Sequence, residues 1–305
     1  MEQRINPDAR WHPAVRVLVF FIAYFVLISI VEFGFLILFA SQTGASLQEI
    51  QQSLVSGRQF GLTAIVKGIE FGFLLLFAWF FARKIDRIPL REFGFRWYPG
   101  ELFIGAGYGI LLILAAYIVY IIAGFAQISG FGTAGMTTSA LVWQVVLGFV
   151  ALIIAAIHEE LLARGYILRN FMQTMNNWVA LIVTGLIFSG MHLLNPNLEI
   201  LGLINIFLAG ILFGVYYIHR KNLWFPIGLH FTWNFFQGMV FGIPVSGQKM
   251  PSILSTNVSG PEILTGGKFG IEASLIGTVI LIAAILGFQL YYGKHPEIPP
   301  EETGV

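Results

Sequence analysis

Residues Leu141–Arg169 read LVWQVVLGFVALIIAAIHEELLARGYILR. The stretch begins as an ordinary apolar helix, then sets His158, Glu159 and Glu160 side by side, with Arg164 following. A single charge at mid-bilayer costs at least ~2.5–3.5 kcal/mol on insertion scales, and two adjacent carboxylates cost more. A helix that only had to span would not carry them. This helix therefore reads as the working part of an enzyme, and the other apolar stretches as its housing.

The rest of the chain supplies that housing. Of 305 residues, 57% are hydrophobic and 11% charged, with a mean hydropathy of +0.79; a soluble domain carries about 25% charged residues. Several apolar runs reach the ~20 residues that cross a bilayer. The expected fold class is all-α, a polytopic membrane protein forming one domain over 1–305, with about eight transmembrane helices around an intramembrane cavity. The spans are expected at Val15–Ala40, Phe60–Ala82, Glu101–Phe125, Leu141 to about Thr174, Trp178–Leu194, Ile200–Tyr217, Leu223–Gly242 and Ala273–Tyr292. A polar loop, Ile243–Glu272, precedes the last of them. Val15–Ala40 is too long for a signal-peptide core and is expected to stay as an anchor.

Of the 17 Lys and Arg residues, 13 fall in the N-terminal segment, the even-numbered connectors and the tail when Arg16, Arg164 and Arg169 are counted with the ends of their spans on that side, against three in the odd-numbered connectors. The positive-inside rule then places both termini in the cytoplasm, at the plasma membrane if the host is bacterial. A net charge of +1 gives no sign of a nucleic-acid partner. The absence of cysteine excludes disulfides, thiol nucleophiles and thiolate metal sites. Oligomeric state is not encoded in any pattern found.

Three patterns carry chemistry: Glu159-Glu160-Leu-Leu-Ala-Arg164, Phe188-Ser-Gly-Met-His192 and His230-Phe-Thr-Trp-Asn234. A separation of four puts Glu160 with Arg164, Phe188 with His192, and His230 with Asn234 on shared helical faces. Glu159 lies 16 residues before Met175, and His192 lies 16 residues after Asn176. Antiparallel helices turning there would bring both to one level, ~20–24 Å from the turn. His230 fits this less well, being only seven residues past Leu223, although Pro226 could bend or delay that helix.

In this order within a polytopic chain, the three patterns resemble the Abi/CAAX-protease (CPBP) family of intramembrane peptidases, which includes the type II CAAX prenyl proteases. The matched core runs from about 142 to 242. The resemblance implies a peptidase site opening toward the cytoplasm, acting on a membrane-associated peptide or lipidated protein among membrane lipids. It implies Glu159 as principal catalytic carboxylate, with His192, His230 and Asn234 as partners. The residue chemistry agrees. Amide hydrolysis needs an activated water and a stabilised oxyanion; a desolvated carboxyl can serve as general base, and an Asn amide can donate to the oxyanion. Glu159, His192 and His230 could alternatively hold Zn²⁺ with an open fourth position, so zinc and metal-free water both remain open. Glu160 belongs to the site, paired with Arg164, which fixes helix rotation as a support.

Other schemes fit poorly. His158-Glu-Glu-Leu-Leu162 has Leu where a zinc motif needs its second His. The chain has only Asp8 and Asp86, both outside the apolar runs, so an aspartyl pair is excluded. Two further readings stand beside the peptidase: a non-catalytic protein of the same fold, such as a bacteriocin self-immunity factor or scaffold, and a proton-coupled transporter using Glu159 and the histidines. His158 reads as structural, Lys67 and Glu70 as a neutralising pair, and Gly105/Gly109 and Gly210/Gly214 as close helix packing. Glu32 stands alone in the first span, where it could line a cavity.

Overall fold

The computed structural model describes residues 7–55, 60–133 and 135–295. Its α-helices are α1 Pro13–Thr43, α2 Leu47–Val55, α3 Phe60–Phe81, α4 Pro99–Ile122, α5 Thr138–Glu160, α6 Arg169–Phe171, α7 Asn177–Gly190, α8 Ile200–Arg220, α9 Trp224–Phe235, α10 Glu262–Thr265 and α11 Leu275–Tyr292. Three π-helical stretches continue them: Ala82–Asp86 after α3, Leu161–Leu168 between α5 and α6, and Phe236–Val240 after α9. Helix starts follow local chemistry. Asn176 caps α7 by accepting from Trp178 N at 2.9 Å, and Ser274 caps α11 by accepting from Gly277 N at 2.9 Å.

Six helices are long and apolar enough to cross a membrane: α1, α3 with its π extension, α4, the continuous rod from α5 through α6, α8 and α11. The architecture is that of a polytopic all-α membrane protein. Two stretches expected as spans are shorter. α7 stops at Gly190 rather than Leu194, and α9 covers 12 residues before its π continuation. Two features were not foreseen. A two-stranded antiparallel ribbon joins β1 Ala126–Phe131 to β2 Leu254–Val258, with a bulge between Ile128 and Gly130. α2 fills the first connector, opened by reciprocal bonds between Ser46 and Glu49. Arg4 and Arg58, two of the charges behind the orientation argument, lie outside the described residues.

Small residues set the spacing of the helices that carry the site. On α4, a Cβ at Gly105 would stand 2.0 Å from the Phe225 carbonyl oxygen, and one at Gly109 would stand 2.4 Å from that of Leu229. From the other side, a Cβ on Gly228 would meet the Leu102 carbonyl oxygen at 2.2 Å. The Thr232 hydroxyl donates across the same seam to Ala106 O at 3.0 Å. α9 therefore lies almost backbone to backbone on α4, as small residues allow in membranes. α7 and α8 meet similarly, with Gly210 against the Cα of Gly185. A buried ion pair between Arg16 and Asp86, with Gln173 also accepting from Arg16 at 3.0 Å, ties the start of α1 to the ends of the α3 and α5–α6 rods.

The depth mismatch at His230 has a structural answer. α9 begins inside the protein, not at its edge. Leu223 is fully buried and donates its backbone N–H to Gly94 O at 2.9 Å. Gly165 lies against Leu223 and the Phe93 carbonyl. Glu159 is six residues from Gly165 and His230 seven from Leu223, so both sit roughly 10 Å from that common level. Pro226 falls in the first turn of α9, where its missing N–H matters least.

Adding one methyl tests the seam. Gly105→Ala should lower the unfolding free energy in detergent by about 1–3 kcal/mol, the usual range for overpacking. Gly107→Ala on the same helix has open space at its Cβ, and should be neutral or mildly stabilising by thermal unfolding.

Candidate active site

The site is organised around a wholly buried guanidinium. Arg164 Nη1 donates to Glu160 Oε1 at 2.8 Å and its Nη2 to Gly210 O at 2.9 Å. Its central carbon lies 4.4 Å from the Phe188 ring centroid and 5.1 Å from that of Phe213. Each of those rings in turn packs on a histidine, Phe188 on His192 and Phe213 on His230, both with centroids 4.9 Å apart. The pairing of Glu160 with Arg164 read from the sequence is present. Its surroundings are the π stretch Leu161–Leu168, every residue of which is buried.

Both imidazoles are oriented through Nδ1. His230 Nδ1 lies 3.0 Å from Glu160 Oε1, and His192 Nδ1 lies 2.8 Å from Phe188 O. A carboxylate and a carbonyl can only accept, so each Nδ1 carries a proton, and in the neutral ring each Nε2 then presents a lone pair. The two Nε2 atoms converge on one oxygen: Glu159 Oε2 is 3.8 Å from His192 Nε2 and 3.9 Å from His230 Nε2. His192 is not on the helix as expected. α7 ends at Gly190, and the chain tightens through His192 N bonding Ser189 O at 3.0 Å. The Ser189 hydroxyl, bonded to Leu203 O at 2.7 Å, fixes that end on α8.

These groups face a cavity of about 370 Å³. Asn234, one turn beyond His230, lines it, so Glu159, His192, His230 and Asn234 share one space while Glu160 and Arg164 stand behind it. Glu32 also lines the cavity, together with Lys67 and Glu70, whose side chains pair at 2.8 Å as the sequence indicated. His158 turns to this flank, with Nε2 2.6 Å from the Tyr24 hydroxyl. Among the described residues, no three His, Cys, Asp or Glu side chains are set to hold a metal ion.

Some contributors were not read from the sequence. Phe213, which orients His230, looks like any lipid or core aromatic. Glu272 was assigned to a polar loop, yet that loop folds inward and Val245, Ser246, Met250 and Glu272 line the cavity. The Glu272 carboxyl accepts from Gln237 Nε2 at 2.7 Å and Ser246 N at 3.2 Å. Burial pushes it up to about 7, with these bonds and His230 acting in the opposite direction. Its one sequence signal was a lone acid set between Ile271 and Ala273, next to a span.

Helices of membrane-spanning length enclosing a glutamate between two histidines define a polytopic membrane protein with an internal polar centre. Comparison with known proteins finds one similarity, and it covers this centre. Residues 141–236 match the family model described as type II CAAX prenyl endopeptidase Rce1-like, in line with the family that the three motifs resemble. No curated protein and no solved structure matches the chain.

Removing Glu160 would strand Arg164 as an uncompensated buried cation and free the His230 ring. Glu160→Ala should therefore cost about 3–5 kcal/mol of stability, read from unfolding in detergent, with Glu160→Gln losing less because it keeps an acceptor. Glu272 predicts a pH effect. The folded protein holds this proton more tightly than the unfolded chain does, its pKa raised from the ordinary 4.5 to about 7. The stabilisation is complete below the unfolded value and is lost as pH rises through about 7. Between pH 5 and pH 8, the melting temperature of the wild type should fall relative to that of Glu272→Gln.

Proposed function

We propose that the protein is an intramembrane endopeptidase of CAAX-protease type, hydrolysing a peptide bond of a membrane-associated or lipidated substrate with a glutamate-activated water. The observation that carries this reading is the convergence of His192 Nε2 and His230 Nε2 on Glu159 Oε2, 3.8 and 3.9 Å away. A scaffold has no need of three titratable groups aimed at one point in an apolar bundle.

The steps follow from where the atoms sit. Water in the gap donates one hydrogen to Glu159 Oε2 and the other to the Nε2 lone pair of one imidazole, which holds it. Glu159 takes one proton as the water oxygen bonds the substrate carbonyl carbon. Asn234 donates to the oxygen on which charge collects. The carbon–nitrogen bond then breaks, and the proton held by Glu159 passes to the leaving amine. Glu160 and Arg164 keep His230 in the tautomer whose Nε2 faces the water. The apolar walls of the cavity, with Ile28, Leu152, Phe213 and Leu229 among them, suit an aliphatic or lipid-modified segment. The distribution of basic residues supports cytoplasmic termini, with the α6 end of the α5–α6 rod on the same side.

Peptide hydrolysis in detergent or liposomes tests the reading. Glu159→Gln and His192→Ala should each lower the rate on the order of 10²–10⁴-fold while the variants keep wild-type melting profiles; full activity in either removes the proposed site. Activity that survives exhaustive chelation supports water alone. Activity lost to the chelator and restored by Zn²⁺ would place a metal among Glu159, His192 and His230 instead.

A further inference from the structure

Glu272 takes no part in the hydrolysis just described, although it lines the cavity that holds Glu159, His192 and His230. It stands in the short 3₁₀ turn Ile271–Ala273 ahead of α11. The hydrogen bonds from Gln237 Nε2 and Ser246 N both go to Oε2. Gln237 is wholly buried. Its Nε2 also donates to Pro244 O at 2.6 Å, while its Oε1 has no hydrogen-bond partner among the described residues. The Glu272 carboxyl thus stands at the cavity wall, with the Gln237 amide held behind it and outside the lining. A carboxylate at that wall is matched by a ligand that carries several N–H groups.

The charge of the cavity points the same way. Its lining includes Glu32, Glu70, Glu159 and Glu272, against the single lysine Lys67, which is already engaged by Glu70 at 2.8 Å. An incoming cation is favoured over an anion. Val245 and Met250, from the same loop, give apolar wall for the methylene stem of a long basic side chain. Position along the substrate follows from spacing. His230, Asn234 and Gln237 lie on one face, and Gln237 is seven residues past His230, roughly 10 Å along the helix. Extended peptide advances ~3.3 Å per residue, so that distance corresponds to about three substrate residues.

We propose that Glu272, backed by Gln237, forms a specificity subsite for a lysine or arginine side chain of the substrate, about three residues from the scissile bond. The assignment deepens the peptidase reading and rests on it for the word substrate. A bound cation would hold the Glu272 carboxyl ionised despite the burial that pushes it up to about 7.

The test uses alanine-based decapeptides carrying one lysine scanned along the chain, with an all-alanine reference. Binding is measured to the full-length Glu159→Gln protein in detergent, and kcat/KM with Glu159 intact. Lysine at one position should improve binding and kcat/KM on the order of tenfold over the reference, the size of one charged hydrogen bond. Adding Glu272→Gln, which keeps the acceptor for Gln237 and Ser246, should bring that ratio to about one. Glu272→Lys should turn the preference toward a peptide carrying glutamate at that position. The subsite is overturned if no position shows a lysine preference. It is equally overturned if Glu272→Gln weakens the lysine and alanine peptides alike, because Glu272 would then only buttress the loop. Binding separates the two readings. A lysine preference abolished by Glu272→Gln, in a protein that cleaves no peptide, would sustain the subsite and sink the peptidase.

Discussion

Everything in the site hangs on a cation with no route to water. Arg164 is buried to 1% exposure, on a rod long enough to cross the membrane. Taking a guanidinium out of water costs several kcal/mol unless its donors and charge are matched. Here Glu160 takes the charge, the Gly210 carbonyl takes a second donor, and the faces of Phe188 and Phe213 cover the plane. Each partner then holds something else. Glu160 receives His230 Nδ1, Phe213 stacks on the His230 ring, and Phe188 meets His192 by both its ring and its carbonyl. Solvating one arginine fixes both imidazoles. The burial of Glu160 and the exposure of Glu159 to the cavity follow from adjacent positions on the same helix, which face different ways.

The legible part of this was the local part. Spacing of four is a property of the α-helix, so the pairing of Glu160 with Arg164 and the nearness of Phe188 to His192 could be read directly, as could the pairing of Lys67 with Glu70. Close packing at Gly105 and Gly109 was legible for the same reason. What the sequence hid was where each rod begins in depth. Hydropathy sees a run of apolar residues in Trp178–Leu194 and cannot tell that Gly190 ends the helix and leaves His192 in a turn. It treats Leu223 as a membrane edge, whereas the bond to Gly94 O and the caps around Asn222 put that turn inside the protein. Glu272 was hidden because contacts between a loop and a helix 35 residues away leave no period to detect.

The same depth argument explains why backbone that is not helical can stand beside the site. Irregular backbone is tolerated within the hydrocarbon layer only where it is covered by protein or lines a cavity. The turn after α7 meets that condition. Met191, His192 and Asn195 line the cavity, and Gly247 packs its backbone against the Pro196 carbonyl. On its outer side, Leu194 is 97% exposed and Ile200 80% exposed, which suits hydrocarbon and would be costly against water.

Enclosure is what gives the arrangement chemical force. A glutamate and two imidazoles at this spacing in bulk water would be solvated separately, and their mutual orientation would be lost to side-chain rotation. With α1 and α3 on one flank and the inward-folded loop before α11 on the other, the cavity sets its polar groups next to fixed dipoles within apolar walls. Low local dielectric strengthens every such contact. It also makes an unmatched group expensive; each Nδ1 has its own acceptor, and the Nε2 atoms and Glu159 Oε2 face one another across the gap.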